Sequence, residues 1–130
     1  MQNFPLVSVI CLSYNHKAYV VEALNSVINQ TYPNIELLIA DDCSSDNSIG
    51  VIKDWVKNHP EVHFSTNEKN LGNTKTFNQL AKIAKGEFII DLAADDLLVP
   101  NCIEKQVTTF QNSKYKNLGI VYGNLIEIDE

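Results

Sequence analysis

The stretch "FIIDLAADDLLVP", residues 88–100, decides how this chain is read. Its first five residues are mostly apolar and read as a strand. Two adjacent carboxylates, Asp95 and Asp96, follow at the strand's end, and the chain then turns apolar again. Neighbouring like charges repel and are costly to desolvate. A chain keeps such a pair where a turn or helix start uses it, or where a bound cation relieves the repulsion.

Working outward, apolar runs alternate with segments of helical period. "LVSVICL" (6–12), "IELLIA" (35–40), "VHFST" (62–66) and "FIIDL" (88–92) read as strands, and "LGIVYGNLIEI" (118–128) as a last one. Between them, "AYVVEALNSVINQ" (18–30) places Val20, Leu24, Val27 and Ile28 on one helical face. "SSDNSIGVIKDWVKNH" opens with good N-cap residues and spaces Ile49, Ile52 and Val56 helically. "NTKTFNQLAKIAKG" is a helix by Phe77, Leu80, Ala81 and Ala84, with Gly86 as its expected C-cap. "PNCIEKQVTTFQN" follows, with Pro100 near its first turn. Continuous rather than alternating apolar strands, separated by helices, predict an α/β fold: a mainly parallel sheet flanked by helices on both faces.

The 130 residues suffice for one domain with a real core, and 45% hydrophobic with 20% charged residues is ordinary for a globular protein. A net charge of −6 leaves no basic stripe to replace counterions, which argues against a nucleic-acid partner. No apolar run approaches the roughly 20 residues of a bilayer span, and no signal peptide is visible in "MQNFPLVSV". Cys11, Cys43 and Cys102 are odd in number and form no Cys-x-x-Cys pair, which fits a reduced, intracellular chain; Cys11 reads as a core thiol.

Parallel sheets bind ligands outside the carboxyl ends of their strands. Those ends carry "SYNH" (13–16), "DDCSSD" (41–46), "NEKNLG" (67–72) and "AADD" (93–96). Two of the four hold an Asp-Asp pair. Turn and cap chemistry explains either pair alone; both in one sheet suggest a shared site. Such a site suits Mg²⁺ or Mn²⁺, which prefer oxygen ligands and often take only one or two carboxylates, with phosphates and water completing the shell. Hydrolysis, phosphoryl transfer and glycosyl transfer all remain open on spacing alone.

Taken in order, "VSVICLSYNHKAYVVEALNSVINQTYPNIELLIADDCSSDNS" and "NLGNTKTFNQLAKIAKGEFIIDLAADDLLVP" resemble the nucleotide-binding half of the GT-A family 2 glycosyltransferases. The likeness covers roughly residues 6–100. It comprises a first strand ending in Tyr-Asn, a helix ending in Gln-Thr-Tyr, an Asp-Asp turn followed by Ser, an Asn-x-Gly stretch, a Gly-Glu-Phe-Ile strand and an acidic motif with Leu-x-x-Pro behind it.

The resemblance implies a Rossmann-like GT-A half that binds a nucleotide-diphospho-sugar, by family habit a UDP-sugar. Leu12, Ser13 and Tyr14 would border the base, with Tyr14 offering a ring face. Asp42 corresponds to the acid that meets the base edge, while Asp41 serves the turn. Lys75 would meet base or phosphates, and His16 would approach the donor. Asp95 corresponds to the acid near ribose and metal, and Asp96 to the principal ligand of Mn²⁺ or Mg²⁺. His59 and His63 read as surface or packing residues.

Three departures stand out. Ala93 occupies the place of an extra acid, leaving a reduced Asp-Asp motif; Ser13 replaces a frequent proline; Phe77 replaces an arginine that could have met the phosphates. Asp91, inside an apolar strand, is expected to be a buried, hydrogen-bonded structural acid or a group that orients the site.

The resemblance further implies inverting, metal-dependent transfer to a glycan or lipid-linked acceptor in polysaccharide assembly. The location implied is cytoplasmic, including peripheral attachment at the inner face of a membrane. Glu127, Asp129 and Glu130 come too early to match the family's general base, so the residues 1–130 are expected to be the donor-binding part of a longer enzyme, inactive in transfer by itself. The opposing reading is a flavodoxin-like, Mg²⁺-binding receiver module. It would need a phosphoacceptor Asp after the third strand and a Lys after the last, and "VHFSTNEKN" and "LIEIDE" supply neither.

Overall fold

The run at residues 6–12 is apolar at nearly every position, and a strand of that kind must be covered on both faces. The computed structural model, which describes residues 3–128, does this with four strands and four helices in alternation. They are β1 (Val7–Ser13), α1 (Val20–Ile28), β2 (Ile35–Asp41), α2 (Ser48–Val56), β3 (His63–Thr66), α3 (Asn73–Ala81), β4 (Phe88–Ala93) and α4 (Cys102–Gln111). The strands pair in parallel in the order β3-β2-β1-β4, as the α/β reading requires. All seven residues of the central β1 are buried.

Side-chain alternation along the strands feeds two cores. Val7, Val9 and Cys11 of β1 point to one face, where they meet Leu24 and Val27 of α1, Ile52 and Trp55 of α2, and Ile103 and Val107 of α4. Ile10 and Leu12 point to the other face, where α3 inserts Leu80 over Leu38 and Ala40. Three helices therefore cover one face and one helix the other. The indole of Trp55 donates to the Asn25 Oδ1 at 2.9 Å, tying α2 to α1, and His59 stacks on Trp55 with ring centres 3.8 Å apart.

Three expectations are corrected. Residues 118–128 form no strand. A strand exists only against a partner, and among the described residues the outer edge of β4 pairs with nothing. Tyr122, Leu125 and Ile126 lie exposed. Asp129 and Glu130 fall outside the described residues.

Gly86 does not cap α3, which ends at Ala81 with Lys82 as its C-cap. Gly86 instead approaches the backbone of β1 so closely that a Cβ would stand 2.6 Å from the Ser8 nitrogen. Asp91 is neither buried nor hydrogen-bonded among the described residues: Ile89, Asp91 and Ala93 line the part of β4 that α3 does not reach. Partial desolvation still pushes the Asp91 carboxyl above the ordinary range.

Candidate functional site

Parallel pairing brings the carboxyl ends of β1, β2 and β4 side by side. Ser13 stands in register with Asp41, and Leu12 with Ala93. The pairing continues past the strands, since the Asp42 N–H donates to the Ser13 carbonyl at 2.9 Å and the Ala94 N–H to the Leu12 carbonyl at 3.0 Å. Leu12, Ser13 and Tyr14 thus sit between the two acidic pairs. Leu12 and Ser13 are buried, whereas the Tyr14 residue is 45% exposed on the rim.

The two acids at the end of β2 have separate duties. Asp41 is fully buried. It accepts from the Ser13 hydroxyl at 2.9 Å, the Ser44 N–H at 2.8 Å and the Ser44 hydroxyl at 2.6 Å, which fixes the turn. Asp42, 6% exposed, accepts from the Asn67 side-chain amide and from the Leu71 and Gly72 N–H groups, each at 2.8 Å. Burial raises the pKa of Asp42, but these bonds and one with Thr76 outweigh it and hold the carboxyl below its ordinary range. Gly72 reaches Asp42 with φ of 85°, a backbone region that favours glycine. The Asn67 amide also donates to the Thr76 hydroxyl at 3.0 Å, so the first turn of α3, carrying the exposed Lys75, is anchored beside Asp42.

Residues that the sequence reading did not single out hold this rim together. Asn15 adopts a left-handed φ of 59°, tolerable for asparagine. Its side-chain oxygen accepts from the Ser45 N–H at 2.8 Å and the Asp46 N–H at 3.2 Å, while its own N–H donates to the Ser44 hydroxyl at 2.8 Å. The Lys17 N–H donates to Asp46 at 3.1 Å. The turns after β1 and β2 are therefore laced to each other. Behind Asp96, the Gln30 side chain donates to the Val99 carbonyl at 2.7 Å and accepts from the Ile103 N–H at 3.0 Å. The Leu98 N–H donates to the Ser26 hydroxyl at 3.1 Å. The sequence signals for these roles were the Tyr-Asn and Gln-Thr-Tyr pieces of the family likeness and the density of Asn, Ser and Asp in the turns.

Asp95 and Asp96 are both exposed, and the Asp96 N–H closes the turn on the Ala93 carbonyl at 3.0 Å. His16 faces Asp95, with Nε2 3.6 Å from Oδ2. The negative field reaches inward: burial first, then the charges of Asp91 and Asp95, push the Cys11 thiol up to about 12, so it stays a neutral core group. No cluster of three or more His, Cys, Asp or Glu side chains able to hold a metal occurs among the described residues. A hard cation at the pair would therefore need further oxygens from phosphate and water, which suits Mg²⁺ or Mn²⁺. The groove between the end of α4 and Tyr115–Tyr122 contains no acid, and it lies at the opposite end of the sheet, where Gln111 donates to the Asn3 carbonyl.

The chain has counterparts among known proteins. The sequence model of the family described as "Glycosyl transferase family 2" matches residues 8–128. An uncharacterised glycosyltransferase of Haemophilus influenzae is 34% identical over 115 residues, 88% of this chain and 36% of that protein. The UDP-Glc:alpha-D-GlcNAc-diphosphoundecaprenol beta-1,3-glucosyltransferase WfgD of Escherichia coli is 35% identical over 119 residues, 92% of this chain and 45% of that one. Among solved structures, S. aureus TarS 1-349 in complex with UDP superposes with a TM-score of 0.73 at 25% identity, over 90% of this chain and 38% of that one. The chain thus spans less than half the length of each. With the family match running from the first strand to the tail, over a parallel sheet whose acidic turns meet at one edge, the chain belongs to glycosyl transferase family 2.

Proposed function

We propose that this chain forms the donor-binding part of an inverting, metal-dependent glycosyltransferase, holding a nucleoside-diphosphate sugar across the carboxyl ends of β1, β2 and β4. One observation carries the reading: Tyr14, Asp42 and the Asp95–Asp96 pair lie along a single rim, joined by the pairing of β1 with both neighbours. The complex of TarS 1-349 with UDP, and the UDP-Glc in the name of WfgD, favour a UDP-sugar.

In this reading Tyr14 offers its ring face to the base, with Leu12 and Ser13 forming the floor beneath. An ionised carboxylate accepts hydrogen bonds only, so the low pKa of Asp42 makes it a match for a ring N–H such as that of uracil. The 67–72 loop already occupies Asp42, and the base edge must share or displace those bonds. Lys75, on the first turn of α3 beside Asp42, would meet the base or the phosphates. Asp95 and Asp96 would supply carboxylate oxygens to Mn²⁺ or Mg²⁺, Asp95 also meeting the ribose. When bound, such a cation neutralises charge on the departing nucleoside diphosphate.

A single displacement also needs a general base for the acceptor hydroxyl; no residue of this chain is assigned that role. The acceptor is a glycan or lipid-linked glycan, used in polysaccharide assembly on the cytoplasmic side. No helix among the described residues is long and apolar enough to cross a membrane.

Thermal unfolding with UDP, with and without Mn²⁺, tests the reading. Ligands that bind only the folded state raise its melting temperature. The expected result is a rise with UDP that grows with Mn²⁺, and loss of the Mn²⁺-dependent part in Asp96→Ala. A variant that responds like the parent would remove the metal assignment. No rise with any nucleotide would remove the donor reading.

A further inference from the structure

His16 lies at the rim beside Asp95, and the donor reading above leaves its geometry unused. Its backbone is fixed: the His16 carbonyl accepts from the Tyr19 and Val20 N–H groups, each at 2.9 Å, and so opens α1. The residue before it is Asn15, locked to Ser44, Ser45 and Asp46, and the residue after it is Lys17, whose N–H donates to Asp46. The imidazole is thus carried on a turn tied down on both sides.

The two ring nitrogens meet different surroundings. Nε2 lies 3.6 Å from Asp95 Oδ2. Nδ1 is buried and has no hydrogen-bond partner among the described residues. A neutral imidazole carries its proton on one nitrogen and a lone pair on the other. Burying an N–H without an acceptor is rarer in folded proteins than leaving an acceptor under-used. The arrangement that satisfies both nitrogens best puts the proton on Nε2, directed at the carboxylate, and the lone pair on the buried Nδ1.

We propose that His16 is a positioning residue for Asp95, holding one carboxylate oxygen toward β1 by donation from Nε2 and leaving the other oxygen turned to the ligand. This rests on the donor-binding reading above. The effect is a division of labour within the acidic pair. Asp95 becomes oriented and less free to rotate, while Asp96, which His16 does not touch, keeps its side chain for the cation. Tightening the contact from 3.6 Å to about 3 Å, the ordinary range for such a bond, needs only a small rotation of an exposed carboxylate.

Two measurements on the 130-residue chain test this. The first needs no nucleotide. Imidazole nitrogen resonances, recorded at roughly pH 8 where an ordinary imidazole is neutral, are expected to show His16 with the proton on Nε2, and Asp95→Asn is expected to shift that signal. Finding the proton on Nδ1, or no response to Asp95→Asn, would overturn the proposal.

The second is the Kd for UDP in the presence of Mn²⁺. His16→Ala is expected to weaken binding roughly three- to tenfold. His16→Gln places an amide N–H near the position of Nε2 and is expected to restore affinity to within about twofold. A Gln variant as weak as the Ala variant would overturn the proposal even where His16→Ala folds poorly. Should the parent chain bind no UDP, the donor reading fails. The ring-nitrogen measurement still decides the contact between His16 and Asp95.

Discussion

Asp42 is almost enclosed yet stays charged, because donors converge on it from the 67–72 loop and from α3. Its folded pKa lies below its unfolded value, so in acid the unfolded chain binds the extra proton first. The stability that Asp42 contributes is present above about pH 4, the ordinary aspartate range, and is lost as pH falls through the lower folded value. Glu36 acts in the same direction: burial raises its pKa, and bonds from Ser8, Lys85 and Gly86 with the Lys85 charge more than reverse that. Urea midpoints measured from neutral pH into acid should therefore fall for the parent, and fall less steeply for Asp42→Asn. An equal slope in the two would show that Asp42 is not held ionised. The sequence made Asp42 a candidate site acid but gave no sign of its partners, which come from residues 67–72 and from Thr76.

At the scale of elements, the link between α3 and β4 turns on Gly86. The Ser8 hydroxyl donates to Glu36 and accepts from the Gly86 N–H at 2.8 Å, and the Lys85 N–H donates to Glu36 at 2.6 Å. This knot clamps the start of β4 onto β1 and β2. A Cβ on Gly86 would lie 2.5 Å from the Ser8 Oγ and 2.8 Å from the Phe88 carbonyl oxygen, and backbone does not yield cheaply. Gly86→Ala is expected to destabilise the fold by about 2 kcal/mol or more, read as a lowered urea midpoint. A neutral result would mean that the clamp relaxes without loss. Glycine after a helical segment suggested a cap from sequence; the close approach of a strand 78 positions earlier was visible only in three dimensions.

For the whole molecule, coverage is uneven. Among the described residues, β1 is central and buried on both faces, β3 and β4 are edges, and the β4 face bearing Ile89, Asp91 and Ala93 lacks a helix. Amide exchange should follow that gradient, slowest in residues 9–12 of β1 and fast throughout residues 118–128, since protection tracks burial and pairing. Hydrogen–deuterium exchange resolved by segment checks it, and protection of the tail equal to that of β1 would contradict the arrangement described. Four strands and four helices were legible because period and apolar runs are local properties of a chain. So was the placing of Asp41–Asp42 and Asp95–Asp96 at strand ends, which in a parallel sheet puts them on one edge. Residues 118–128 read as a fifth strand and form none, because β structure depends on a partner that composition cannot supply. Nor did local pattern reveal the donors around Asp42, the lacing of Asn15 to Ser45 and Asp46, or the orientation of His16 toward Asp95. Those contacts join segments far apart in sequence, and only chain closure sets the distances between them.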